Sequence, residues 1–347
     1  MRAIVVILAA LLCLAALAAL GGALRWRDGG AGARGALVAG AVLLLAGAVA
    51  LGWAARAPRL PPHDDGRDLA AAYAAGRALP EGPVAVYHLG HSLVGRDMPA
   101  MLAQLGGHDH ALQLGWGAAL RDHYTSPEAV AGFGRENATP RHRDPHEALA
   151  SGAYGAFVMT EMVRLKDAIL YKDSLRHAGL WAAEAVAGNP RAEVFLYESW
   201  HALDDGPDWL ARMGPDREML WSQLLFAASR AAGRPVWLIP AGEVMARLAA
   251  EAEAQGGIAE LGGREGLFAR RPDGTLDPIH PGHFGNYLVA LTHYAVIYGK
   301  SPVGLPRALL RADGTPAAAP SPGLARRMQE LVWEVVAADP LTGLRPR

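Results

Sequence analysis

Five short runs rich in Val, Leu, Ile and aromatics, at residues 84–89, 111–114, 155–160, 193–197 and 235–239, alternate with amphipathic stretches of helical length at 93–105, 170–187, 216–232, 243–255 and 282–298. Strand and helix in strict alternation predict an α/β fold, a parallel sheet with helices on both faces in three αβα layers. In such sheets the ligand site lies beyond the carboxyl ends of the strands. The positions that fall there are Ser92, Gly117, Glu161 and Trp200. Long loops at 122–149 and 256–276 are placed to cover that edge, and no internal repeat is present.

Ahead of this region, residues 3–24 and 35–55 carry no charge. At about 1.5 Å per residue each is long enough to cross a hydrocarbon layer of ~30 Å as a helix. Between them lies a short polar turn with Arg25, Arg27 and Arg34, so residues 1–57 read as a membrane hairpin. A cleaved signal peptide is the alternative for the first segment, but its apolar run exceeds the ~7–15 residues usual in a signal core. Counting Arg2 on one flank, three arginines in the loop, and Arg56 and Arg59 at the exit, the positive-inside bias favours a cytoplasmic loop. The expectation is an inner-membrane protein with its catalytic domain on the periplasmic side. Residues 58–80 read as a linker and lead-in, 81–305 as the main domain, and 306–347 as a tail with one helix at 324–337.

Composition narrows the function. With 33 Lys and Arg against 34 Asp and Glu, there is no charge excess to attract nucleic acid. The single cysteine, Cys13, lies in the apolar leader, which leaves the rest of the chain no disulfide, Cys metal site or Cys nucleophile. Sequence does not set the oligomeric state.

The chemistry-bearing pattern is Val84-Ala-Val-Tyr-His-Leu-Gly-His-Ser92, a strand running into a turn that ends on a serine, with Asp277-Pro-Ile-His280 some 185 residues later. A serine hydroxyl becomes a useful nucleophile when an imidazole takes its proton. The imidazole in turn needs an acceptor on its other nitrogen to fix its tautomer.

Gly90-His-Ser-Leu after the first strand, Gly117-Ala-Ala-Leu after the second and Asp277-x-x-His280 before the last large helix together resemble the SGNH (GDSL-type) hydrolases, over residues 82–303. The resemblance implies a flavodoxin-like sheet. It also implies Ser92 as nucleophile, His280 as general base, Asp277 as the residue that orients the imidazole, and an oxyanion hole from the backbone N–H groups of Ser92 and Gly117. Two departures stand out. The family's Asp before the serine is His91, which removes a residue that braces the turn, and its third block, Gly-x-Asn-Asp, is replaced by Met159-Thr-Glu-Met162. The third oxyanion donor is therefore missing; Thr160 is the nearest candidate, with Asn137 behind it. A branch with a modified third block, carrying a Glu and a later Tyr-x-x-Trp, is more similar, and Tyr197-Glu-Ser-Trp200 fits the second feature.

Each residue also has a plainer role to weigh. Ser92 could be the N-cap of a helix starting at Leu93, and Gly117 only a turn glycine. Glu161 and Glu198 end strands that should be buried, where a lone carboxylate costs several kcal/mol, so they are expected at the pocket rim. There they would bind substrate together with Trp200 and His201, while Trp116 and Trp209 are further candidates to stack on a sugar. His108-Asp-His110, residues 142–146 and Asp277-x-x-His280-x-x-His283 lack a recognised zinc spacing, and no nucleotide-binding glycine motif occurs, so neither metal nor cofactor is expected. The reading is a membrane-anchored serine esterase that forms an acyl-enzyme on a small-molecule or glycan ester, such as an O-acetyl group on an envelope glycan. The alternatives are an O-acyltransferase with the same triad and a catalytically degenerate glycan-binding or scaffold protein.

Overall fold

The computed structural model describes residues 2–25, 31–56, 58–206 and 208–344. It divides into two units, Met1–Leu60 and Pro61–Arg347. The first consists of helices Arg2–Arg25 and Ala31–Arg56, which pack on one another. Their cores, Val6–Arg25 and Gly35–Trp53, have mean hydropathies of 2.5 and 2.3 and are long and apolar enough to cross a membrane.

The second unit is built on a five-stranded sheet: β1 Val86–His91, β2 His110–Gly115, β3 Ala156–Met159, β4 Glu193–Tyr197 and β5 Trp237–Ile239. The order is β2-β1-β3-β4-β5 and every pairing is parallel. β1 is therefore an inner strand, second in the order, and the chain leaves it in opposite directions, to β2 and then to β3. This reversal opens a crevice at the carboxyl ends of β1 and β3. Strands β1, β2, β3 and β5 are buried at every position, as a sheet covered on both faces requires. The helices Asp97–Gly106, Ala241–Ala254, His283–Tyr298 and Pro322–Ala338 pack together as one layer, and Leu120–Thr125, Pro145–Ala150, Ser174–Gly188 and Ser222–Ala232 as the other. A small antiparallel hairpin, β6 Phe268–Arg270 with β7 Leu276–Pro281, stands apart from the main sheet.

The lead-in and the tail are fastened to this body. Arg230 pairs with Asp64 and Asp68, and the Arg77 N–H donates to the Gly343 carbonyl at 3.1 Å. The helix Pro322–Ala338 buries Leu324, Met328, Leu331, Val332 and Val336.

Histidines fill an unusual share of the interior. His88 on β1 is fully buried and meets the rings of His110 and His293 at centroid distances of 6.4 and 6.2 Å. Burial pushes His88 well below the ordinary imidazole range, and brings His91, His108, His110, His123 and His293 down to about 4. The unfolded chain takes up protons below ~6.5 while the folded chain refuses them until about 4, so stability falls with falling pH across that window, by roughly 1.4 kcal/mol per group per pH unit. Glu161 and Glu198, raised to about 7 by burial, act in the opposite sense between 4.5 and 7. Six imidazoles outweigh two carboxyls. The urea midpoint should therefore fall steeply from pH 7 to pH 5; a midpoint flat over that interval would mean that these histidines are hydrated.

Candidate active site

The turn that carries Ser92 begins where β1 ends. His91 is the last strand residue and pairs across the sheet with Gly115, so Ser92 and Trp116 step off adjacent strand ends. Ser92 is not a helix cap: the next helix starts at Asp97, with Arg96 at its N-cap, and residues 92–96 form turns closed by the Val94 N–H donating to the His91 carbonyl. This frees the Ser92 side chain to face the crevice, where its Oγ lies 3.0 Å from His280 Nε2.

The other side of the imidazole is equally defined. His280 Nδ1 lies 2.9 Å from Asp277 Oδ2, and Asp277 Oδ1 accepts the backbone N–H groups of Ile279 and His280 at 3.1 and 3.0 Å. Burial alone would raise the Asp277 carboxyl, but the His280 N–H, the His280 ring and the Ile279 N–H together hold it below its usual range. A carboxylate that stays ionised keeps the proton on Nδ1 and leaves Nε2 unprotonated, facing the serine hydroxyl. Asp277 and His280 ride on β7, a strand half-buried at every position that therefore leaves no apolar run in the sequence.

Two hydrogen bonds fasten that strand to the segment after β4. Trp200 Nε1 donates to the Ile279 carbonyl at 2.9 Å, and the Leu203 N–H to the Pro278 carbonyl at 2.9 Å. Trp200 is 1% exposed, so it supports the Asp-Pro-Ile-His turn from beneath and offers no face to substrate, contrary to expectation. His201 is likewise buried, with Nε2 2.8 Å from Asp216 Oδ2 and Nδ1 facing Arg212. Trp209 is buried against Phe268 and is no sugar platform.

The two glutamates expected at the rim are also inside. Glu161 Oε1 accepts the N–H groups of Leu120 and Met162 at 3.2 and 2.8 Å, while the Glu161 carbonyl accepts from His91 Nε2 at 2.9 Å. It thereby ties the ends of β1, β2 and β3 together. Glu198 accepts the Glu243 N–H at 3.4 Å and is fully buried. Both carboxyls are raised to about 7, mainly by burial, which offsets the cost of an interior charge by favouring the protonated form.

The loss of an aspartate before the serine is made good by His91 itself. Its Nδ1 accepts the Leu93 N–H at 3.3 Å and its Nε2–H donates to the Glu161 carbonyl, a tautomer consistent with a ring kept neutral by burial. Further braces were not foreseen. The Tyr197 hydroxyl donates to the Leu93 carbonyl at 3.2 Å, and Gln113 Nε2 reaches His123 Nδ1 at 3.1 Å, whose Nε2 donates to the Gly90 carbonyl at 2.9 Å. The only signal available in sequence was a polar residue, Gln113, within a strand that should be buried.

Of the oxyanion candidates, Gly117 has φ +61°, a left-handed turn that glycine adopts without strain. Among the described residues the N–H groups of Ser92 and Gly117 have no acceptor. Thr160 is committed elsewhere: its hydroxyl donates to the Tyr197 carbonyl at 2.7 Å and its N–H to the Leu89 carbonyl at 3.1 Å. Asn137 spends its amide on the Leu114 and Phe133 carbonyls at 2.9 Å. Neither side chain has a donor to spare for an oxyanion. Among the described residues no three His, Cys, Asp or Glu side chains are grouped so as to hold a metal ion.

No protein-family profile matches the chain, and no curated protein does. Among solved structures, a protein described as a GDSL-like lipase from Parabacteroides merdae aligns at 10% identity over 63% of this chain and 96% of its own, with a TM-score of 0.39. A carbohydrate esterase family 2 enzyme with a carbohydrate-binding domain, from Corynascus thermopiles (Myceliophthora fergusii), aligns at 15% identity over 45% of this chain and 54% of its own, with a TM-score of 0.26.

Proposed function

We propose that the chain is a membrane-anchored serine esterase of SGNH type. The observation that carries this reading is the unbroken hydrogen-bond chain from Asp277 through His280 to Ser92. In the reaction, Ser92 Oγ attacks the ester carbonyl while His280 Nε2 takes its proton, and the oxyanion that forms is met by the N–H groups of Ser92 and Gly117. Collapse of the tetrahedral intermediate expels the alcohol, which receives the proton from His280 and leaves the acyl group on Ser92. A water molecule, deprotonated by His280, then releases the acid and restores the serine. Asp277 keeps the imidazole oriented and stabilises its cationic form throughout. An O-acetyl group on an envelope glycan suits a site of this kind held at a membrane on the periplasmic side.

Two measurements test the proposal. A fluorophosphonate should label the full-length chain in detergent on Ser92, read by peptide mass spectrometry; labelling elsewhere, or none, would remove the nucleophile. For orientation, a reporter active only in the periplasm should be active when fused after Arg56 and silent when fused at Gly30, and the reverse pattern would place the esterase in the cytoplasm.

A further inference from the structure

Beside the Gly117 turn lies a groove of about 490 Å³, walled by the segment 116–131 and by Tyr171 and Lys172. Because His91 and Gly115 are register partners, this groove starts one strand spacing from the nucleophile turn. Its aromatic residues contrast with the tryptophans beneath the triad: Trp116 is 45% exposed and Tyr171 61%. The Trp116 indole is nevertheless held in place. Its Nε1 donates to Glu136 Oε1 at 2.9 Å, and Gly132 lies so close that a Cβ there would come within 2.3 Å of a ring carbon. The Arg135 guanidinium lies 5.8 Å from the centroid of its ring, so the indole is a fixed surface with a cation already over it.

The charge in the groove is specific too. Lys172 is answered by Asp122 at 3.1 Å, whereas the exposed guanidinium of Arg121 has no carboxylate partner among the described residues. A fixed indole carrying the Arg135 guanidinium and the unanswered cation of Arg121, next to the N–H groups that would receive an oxyanion, suit a ring that carries its own negative charge. A long acyl chain would call for an enclosed apolar channel in this place. Resting on the esterase reading of Ser92, we infer that this groove seats the alcohol side of the ester, and that the alcohol is an acidic sugar whose carboxylate pairs with Arg121 while its ring lies on Trp116.

The test uses the full-length chain in detergent and two probes, O-acetylated oligogalacturonate and O-acetylated xylo-oligosaccharide. Wild type should favour the uronate by about 10-fold or more in kcat/KM, with the preference shrinking as salt is raised. Arg121→Ala should bring the ratio close to one and Arg121→Lys should restore part of it, while Trp116→Ala should raise KM for both glycans. Equal handling of the two probes by wild type, or a ratio untouched in Arg121→Ala, overturns the inference. Calorimetric titration of Ser92→Ala with unacetylated oligogalacturonate separates this from the esterase reading. Binding that Arg121→Ala weakens, together with no hydrolysis of any ester by wild type, would sustain the groove and sink the esterase. Hydrolysis with no such binding would do the opposite.

Discussion

Ser92→Ala and His280→Ala should each take hydrolysis of p-nitrophenyl acetate by the full-length chain down to background, a loss of about 10³-fold or more. The reasons differ. Without Oγ no acyl-enzyme forms, whereas without the imidazole the hydroxyl keeps its proton and is too weak a nucleophile. Asp277→Asn should leave a measurable remainder. The Asn oxygen still accepts the Ile279 and His280 N–H groups that shape the turn, but its amide then offers a donor to Nδ1 and favours the wrong tautomer. Activity retained in Ser92→Ala would end the assignment, and equal losses in all three variants would mean that Asp277 does more than orient the ring.

Gly117→Val should lower kcat by about 100-fold with little effect on KM. The mechanism is the backbone. A Cβ at Gly117 would meet nothing within 4 Å, so bulk is tolerated, but φ +61° is a conformation that a β-branched residue avoids. The turn would relax and carry its N–H away from the oxyanion, while the circular dichroism of the folded chain stays the same. Unchanged kcat would reduce Gly117 to a turn former. Gly115 would not then inherit the role by the same test, because a side chain there collides with Val130 at 2.5 Å and the substitution would disturb packing.

The strand–helix alternation was legible because each strand of the central sheet is buried on both faces and writes itself as an apolar run. The predicted 193–197 strand coincides with Glu193–Tyr197, and the others shift by one or two residues at their ends. The meeting of Ser92, Asp277 and His280 was legible because they sit in local patterns whose chemistry admits few uses. What misled was inferring exposure from position at a strand end. Glu161, Glu198, Trp200 and His201 do follow β3 and β4, but each has a partner that pulls it inward: backbone N–H groups for the glutamates, the Ile279 carbonyl for Trp200 and Asp216 for His201. Apart from the Met162 N–H beside Glu161, those partners lie elsewhere in the chain and leave no trace in the local sequence. Of the three tryptophans weighed, Trp116, Trp200 and Trp209, it is Trp116 that stays exposed, because the segment 130–136 that packs on it covers only part of the ring.

The two halves of the proposed catalytic apparatus differ in mechanical support. Ser92 is mounted at the end of β1, an inner strand, stiffened by Tyr197, His91 and the strands on either side. His280 is mounted on a two-stranded flap, closed at its base by the Gly282 N–H to the Leu267 carbonyl, whose ties to the rest include the Trp200 and Leu203 hydrogen bonds. Opening that flap requires only a sub-global fluctuation, well below the free energy of unfolding the sheet. Amide hydrogens of residues 276–282 should therefore exchange long before those of β1, and on warming the molecule can be disarmed while it is still folded. Its working lifetime is then set by how firmly one small hairpin stays docked.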